Sequence, residues 1–162
     1  MKRALPMMLL LVLIVTAAGG ITFVQADAKT DQEVKDFLNQ YEAAYEKKDL
    51  DALMKLIAPG AEVVFFEADE KGRYVGQDQI KAAYENSLKQ VKSIKGEYKW
   101  TSVGSKGDVA WFATEVLFNV DIGEDKFKQM ARWTGVLERK DGKWLLLQSH
   151  FSFPEQEGPP EK

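Results

Sequence analysis

Residues 132–153 read Arg132-Trp133-Thr134-Gly135-Val136-Leu137-Glu138-Arg139-Lys140-Asp141-Gly142-Lys143-Trp144-Leu145-Leu146-Leu147-Gln148-Ser149-His150-Phe151-Ser152-Phe153. Apolar, β-branched and aromatic residues flank Lys140-Asp141-Gly142, which predicts two strands around a tight turn. Asp-Gly is a strong hairpin signal because glycine accepts positive φ without a Cβ clash. The second strand carries the chain's only histidine, His150. Loop length decides its neighbour. A three-residue loop places Arg132 opposite His150 and Thr134 opposite Gln148; a two-residue loop brings Trp133 there instead, since a one-residue slip exchanges faces.

Upstream, the apolar period changes twice. Thr30-Asp31-Gln32-Glu33 has the form of a capping box, with Thr30 as the cap, and Val34, Phe37, Leu38, Tyr41, Ala44 and Tyr45 follow at helical spacing. Asp49 is expected to cap a shorter helix that Pro59-Gly60 stops. Residues 62–67 predict a short strand around Val63-Val64-Phe65-Phe66, and residues 69–76 a polar connection. Gln77-Asp78-Gln79 opens a third helix with Ile80, Ala83, Tyr84, Leu88 and Val91 on one side. From Ser93 the period becomes two, with Ile94, Tyr98 and Trp100 sharing a face. Residues 104–108 predict a turn, residues 109–122 and 127–139 the next two strands. This order of helix, helix, strand, helix and four long strands predicts an α+β fold: a bent antiparallel sheet with three helices on one face. Trp111, Leu117 and Trp133 are assigned to the open face, which predicts a homodimer through it.

The first segment is of another kind. Lys2 and Arg3 precede an almost wholly apolar run over residues 5–15, and Val24-Gln25-Ala26 has the small-residue form of a cleavage site. Residues 1–26 are therefore expected to be a secretory signal peptide; Thr16-Ala17-Ala18 offers an earlier cut, and an uncleaved membrane anchor is the alternative. Residues 27–153 form the expected domain, and residues 154–162, rich in Pro, Glu and Gly, a disordered tail. The expected location is periplasmic or secreted. The whole chain carries a net charge of −3, and losing Lys2 and Arg3 takes it to −5. An acidic chain without a basic block is a poor nucleic-acid binder. The absence of cysteine removes disulfides, thiol nucleophiles and thiolate metal sites. Neither a glycine-rich phosphate loop nor a serine nucleophile elbow occurs, so no cofactor or metal is implied.

Arg132-x-Thr134 followed by Asp141-Gly142-Lys143-Trp144-x-Leu146-x-x-x-His150-x-Ser152 resembles the closing hairpin of the SnoaL-like branch of the nuclear transport factor 2-like superfamily. It is also similar to that of the calcium/calmodulin-dependent kinase association domain. Asp49-Leu50-Asp51-Ala52-Leu53 resembles the start of the superfamily's second helix. The resemblance implies a cone-shaped domain, in which a strongly bent sheet wraps the helices and leaves a pocket at its open end. Family members include isomerases, dehydratases, cyclases and association modules, so fold alone does not choose a function.

For the ketosteroid isomerases of that superfamily, the resemblance places the tyrosine on Tyr41, the base near Phe65 and the second carboxyl near Thr134. Phenylalanine takes no proton, and moving the base to Glu62 or Glu67 is expected to change register or face. That mechanism lacks two of its three groups. The leading expectation is a pocket lined by Tyr41, Tyr45, Phe65, Tyr84, Phe112 and Trp100, holding a small hydrophobic or carboxylate-bearing molecule. Arg132 would orient a carboxylate, or pair with Glu115 or Asp121. The alternatives are a proton-transfer enzyme (isomerase, dehydratase or cyclase) using Tyr41 with His150, and a homo-oligomeric association module whose cone is filled.

Overall fold

The computed structural model describes residues 26–68 and 72–154. The expected leader (apart from Ala26) and tail (apart from Pro154) lie outside the described residues. In chain order the elements are α1 (Ala28–Glu46), α2 (Leu50–Lys55), β1 (Val64–Phe66), β2 (Arg73–Val75), α3 (Gln77–Gln90), β3 (Ser93–Lys106), β4 (Val109–Asp121), β5 (Lys126–Lys140) and β6 (Lys143–Ser152). They form the expected α+β cone, a curved sheet around the helices. Strand order is β2-β1-β6-β5-β4-β3. Every pairing is antiparallel as expected except one: β1 runs parallel to β6, with Val64 beside Gln148 and Phe66 beside His150.

The closing hairpin follows neither expected register. Its loop is two residues, Asp141 and Gly142, both at positive φ (52° and 74°), the conformation that Asp-Gly favours. Leu137 pairs with Leu146 but Val136 pairs with Gln148, so Leu147 is one residue extra. This bulge brings Thr134 opposite His150 and Trp133 opposite Phe151. Trp133 thus points inward and is 4 % exposed, not on the outer face where the sequence pattern placed it. Trp111 does lie outside, with its indole over Gly104 on the neighbouring strand; a Cβ at Gly104 would meet that ring at 2.3 Å.

A second bulge moves Trp100. Tyr98 pairs with Val116 and Trp100 with Glu115, leaving Lys99 over. Residues 98 and 100 therefore take opposite faces. Tyr98 reaches inward to donate to the Leu38 carbonyl at 3.0 Å, whereas Trp100 is 54 % exposed. β3 also continues through the expected turn to Lys106, and Arg73–Val75, expected as loop, is a strand paired with β1.

The helices enter as their caps dictate. Asp27, not Thr30, caps α1: its Oδ1 accepts from the Thr30 amide at 2.9 Å and its Oδ2 from the Thr30 hydroxyl at 3.1 Å. Glu33 is thereby released for another task. Its Oε2 accepts from Arg139 Nη2 at 2.6 Å and from Trp144 Nε1 at 3.0 Å, tying α1 to the closing hairpin. The Arg139 guanidinium also lies 4.4 Å above the Trp144 ring. Asp49 caps α2 as expected, through the Ala52 amide at 2.9 Å.

The narrow end of the cone is filled. Val34, Phe37 and Leu38 of α1 pack with Leu53, Phe112, Leu137 and Leu146 in one buried cluster. Gly135 is needed there, because a Cβ would meet the Phe112 ring at 2.6 Å and Leu146 at 2.9 Å. Among the described residues no helix is long and apolar enough to cross a membrane.

Candidate functional site

The wide end of the cone is open. Past Leu38, the inner face of α1 carries Tyr41 and Tyr45, one turn apart, and beside them Glu42. These face the far halves of β4 and β5 across a cavity of about 260 Å³. The helical wall is completed by Tyr84 of α3. The sheet wall comes from Val116, Phe118 and Val120 of β4, Phe127, Gln129 and Trp133 of β5, and Ser149 and Phe151 of β6. Glu67 and Phe153 close the rim. An adjoining recess of about 310 Å³ shares Tyr45, Glu67, Tyr84, Phe151 and Phe153 and extends to Phe65 and Tyr74.

The rings interlock. Tyr41 lies 4.7 Å from Trp133, and Trp133 in turn receives Phe112 edge-on at 4.7 Å. Tyr41 and Tyr45 are nearly parallel at 6.4 Å, while Tyr84 meets both edge-on. Phe151 packs against Phe118 at 5.8 Å and against Phe153 at 5.3 Å. Aromatic pairs favour such offset and T-shaped arrangements, which hold the walls apart in fixed positions.

Few polar groups interrupt these surfaces. The Tyr41 and Tyr84 hydroxyls share a hydrogen bond. The Tyr45 hydroxyl lies 3.3 Å from Ser87 Oγ, and Trp133 Nε1 donates to Ser149 Oγ at 2.9 Å. Burial pushes the Tyr41 and Tyr84 phenols well above their ordinary range, and the negative charge of Glu67 adds to both shifts. Both therefore remain neutral hydrogen-bonding phenols at physiological pH and do not act as phenolate bases. Glu42 Oε1 accepts from the Gly96 amide at 2.6 Å. Burial raises the Glu42 carboxyl, that hydrogen bond opposes the shift, and Glu46 adds to it. A Cβ at Gly96 would stand 2.4 Å from the same oxygen, so a larger residue there would push the carboxylate aside.

The expected site residues separate into three groups. Tyr41, Tyr45 and Tyr84 line the cavity together. Phe65 is fully buried beneath Tyr84 and borders the adjoining recess; Phe112 is core behind Trp133 and does not reach the cavity. Trp100, Arg132 and His150 face outward. The Arg132 side chain is 62 % exposed, with its Nε 3.9 Å from Glu115 Oε1, the partner expected for a structural pair. His150 is exposed and stands edge-on to Phe66, so it cannot act with Tyr41 on one bound molecule.

Several lining residues escaped the sequence pattern. Glu67 sits two positions after the inward Phe65 and one after the exposed Phe66, so strand alternation alone turns it inward. Of the expected change of register or face, Glu67 shows the first: it keeps the face of Phe65 and lies two residues farther along. Glu42 neighbours Tyr41 on α1 and gave a weaker signal, because a charged residue at the edge of an apolar helix face ordinarily points to solvent. Among the described residues no group of three or more His, Cys, Asp or Glu side chains could hold a metal ion.

Residues 34–156 match the SnoaL-like domain, and the chain belongs to that family. Solved structures agree on the fold. A nuclear transport factor 2-like superfamily protein from Salmonella enterica superposes with a TM-score of 0.73 at 18% identity, over 85% of this chain and 99% of that one. A protein assigned as a dehydratase of the same superfamily, from Streptomyces avermitilis, gives 0.73 at 18% identity, over 80% and 100%. A protein assigned as a calcium/calmodulin-dependent protein kinase II association domain, from Xanthomonas campestris, gives 0.68 at 26% identity, over 82% and 95%. Comparison with curated proteins returns no match.

Proposed function

We propose that this chain is an exported small-molecule-binding protein whose ligand occupies the wide end of the cone. The carrying observation is the cavity itself: rigid aromatic walls around a small set of convergent polar groups, the usual form of a ligand site. A cone filled by its own side chains would have favoured an association module instead. Volume limits the occupant. An apolar cavity of about 150 Å³ holds benzene, and sites for drug-sized ligands begin near about 300 Å³. The space here suits one or two rings, with a polar end toward the Tyr41–Tyr84 pair. Export rests on the leader-like residues 1–26.

The test is native mass spectrometry of the purified protein, followed by extraction and identification of whatever is released on unfolding. A retained low-mass aromatic or apolar molecule that raises the melting temperature when added back is the expected result. Ligand at about a hundredfold over Kd adds about 2.7 kcal/mol. No retained molecule, and no shift with any one- or two-ring compound, would overturn the reading.

A second reading, proton-transfer catalysis, draws on Glu67. Its carboxylate lines the same cavity as the Tyr41–Tyr84 pair, which places a base and neutral donors around one volume. Glu67 would take a proton from carbon while the phenols donate to the oxygen on which charge develops. Arg132 and His150, both on the outer face, have no part in it.

A further inference from the structure

We propose that Glu42 selects the ligand: its second carboxylate oxygen accepts a hydrogen bond from the bound molecule, so the cavity takes hydroxylated one- or two-ring compounds over ethers and hydrocarbons of the same shape. This rests on the cavity being a ligand site. The carrying observation is how the carboxylate is held. Its Oε1 accepts from the Gly96 amide, and among the described residues no donor meets Oε2. Gly96 pairs with Phe118 across β3 and β4, and Phe118 lines the cavity, so the main chain fixes the carboxylate against the cavity wall. Burial strips part of its hydration. A partly dry acceptor with unused lone pairs costs free energy until a donor arrives.

Neighbouring polar groups are engaged with one another. Trp133 Nε1 donates to Ser149 Oγ. Ser87 Oγ donates to the Tyr84 carbonyl at 3.2 Å, which leaves it to accept from the Tyr45 hydroxyl. The Tyr41 and Tyr84 hydroxyls bond to each other, and of their two protons one is left over. The helical wall thus offers an acceptor at Glu42 and a donor at the phenol pair. A ligand hydroxyl answers both. An ether answers only the donor, and a hydrocarbon neither.

2-Naphthol, 2-methoxynaphthalene and naphthalene separate these cases. Calorimetry or ligand-induced thermal shift with the purified protein at neutral pH gives their affinities. 2-Naphthol should bind at least about tenfold more tightly than either of the others. Apolar burial alone would rank it last, since it is the most polar of the three. In Glu42→Gln the amide oxygen stays with the Gly96 N–H and an NH2 replaces the second oxygen, turning the acceptor into a donor. 2-Naphthol should then fall to within about twofold of 2-methoxynaphthalene, while naphthalene stays within about twofold of its wild-type value. Glu42→Asp is one methylene too short to hold Gly96 and also reach the ligand. It should lose the preference likewise, and it serves if the glutamine variant does not fold. Wild-type 2-naphthol binding no tighter than naphthalene would refute donor selection while ligand binding stands. A preference kept intact in the variants would refute the role of Glu42. If none of the three compounds binds, the ligand-site reading fails as well.

Discussion

The phenol pair at the mouth of the core makes a prediction with an unusual sign pattern. Tyr84 is almost wholly buried, and its hydroxyl is bonded to that of Tyr41. Tyr84→Phe removes one net hydrogen bond, about 1 kcal/mol, and strands the Tyr41 hydroxyl, a further cost of about 1–3 kcal/mol in a dry site. The cavity beside Tyr41 has room for water, which moves the total to the low end, about 2 kcal/mol. Tyr41→Phe should cost a similar amount. The double variant leaves nothing stranded and should lie within about 0.5 kcal/mol of wild type, giving a coupling energy of about 2 kcal/mol or more. Urea unfolding at pH 7, followed by circular dichroism, measures all four proteins. pH supplies an independent check. Both phenols are raised above their ordinary value of 10.0, so the folded protein keeps its protons after the unfolded chain begins to lose them. Wild type should therefore lose stability as pH climbs beyond 10, and the double variant less steeply. Additive single costs, or a neutral Tyr84→Phe, would refute the picture of two hydroxyls satisfying each other.

Two further outcomes follow from carboxylates the chain uses differently. Glu33→Ala removes the acceptor shared by Arg139 and Trp144, and should cost about 2 kcal/mol, whereas Glu33→Gln, keeping an acceptor oxygen, should cost about half as much; equal losses in urea melts would show that shape rather than bonding matters there. Glu42→Gln should stabilise at neutral pH, because Glu42 is raised from an ordinary 4.5 and folding penalises its charged form. That penalty is absent at low pH, where the carboxyl is protonated in both states, and grows as pH rises above 4.5 toward the folded value. The variant's advantage should grow over the same window, and an advantage independent of pH would refute this origin.

The periodic parts of the chain are legible in its sequence. Helical spacing in α1 and α3, alternation along β4 and the Asp141-Gly142 turn each express a local rule, and each appears in the fold. What stayed hidden depends on single residues or distant neighbours. One supernumerary residue at Lys99 sends Trp100 outward, and one at Leu147 resets the register around Trp133, with no change in composition to announce either. Asp27 and Thr30 both have the chemistry of a cap, and the backbone chose the earlier. β2 is three residues between glycines, too short to show a period. In the site, the tyrosines showed themselves by their helical face, while Glu67 required trust in alternation through Phe65 and Phe66. Arg132 and His150 drew attention by their chemistry, and the faces of the sheet took them elsewhere.

The parallel pairing of β1 with β6 bears on how the chain matures. Beyond its hairpin partner Val75, Val64 finds a sheet neighbour only at Gln148, so in a nascent polypeptide still lacking β6 the first two strands are not joined to the rest of the sheet. Contacts so distant along the chain form late and slow the search for the native state. Synthesis from the amino end therefore leaves the β1–β2 hairpin apart from the β3–β4–β5 meander until the last strand emerges and clasps the two together.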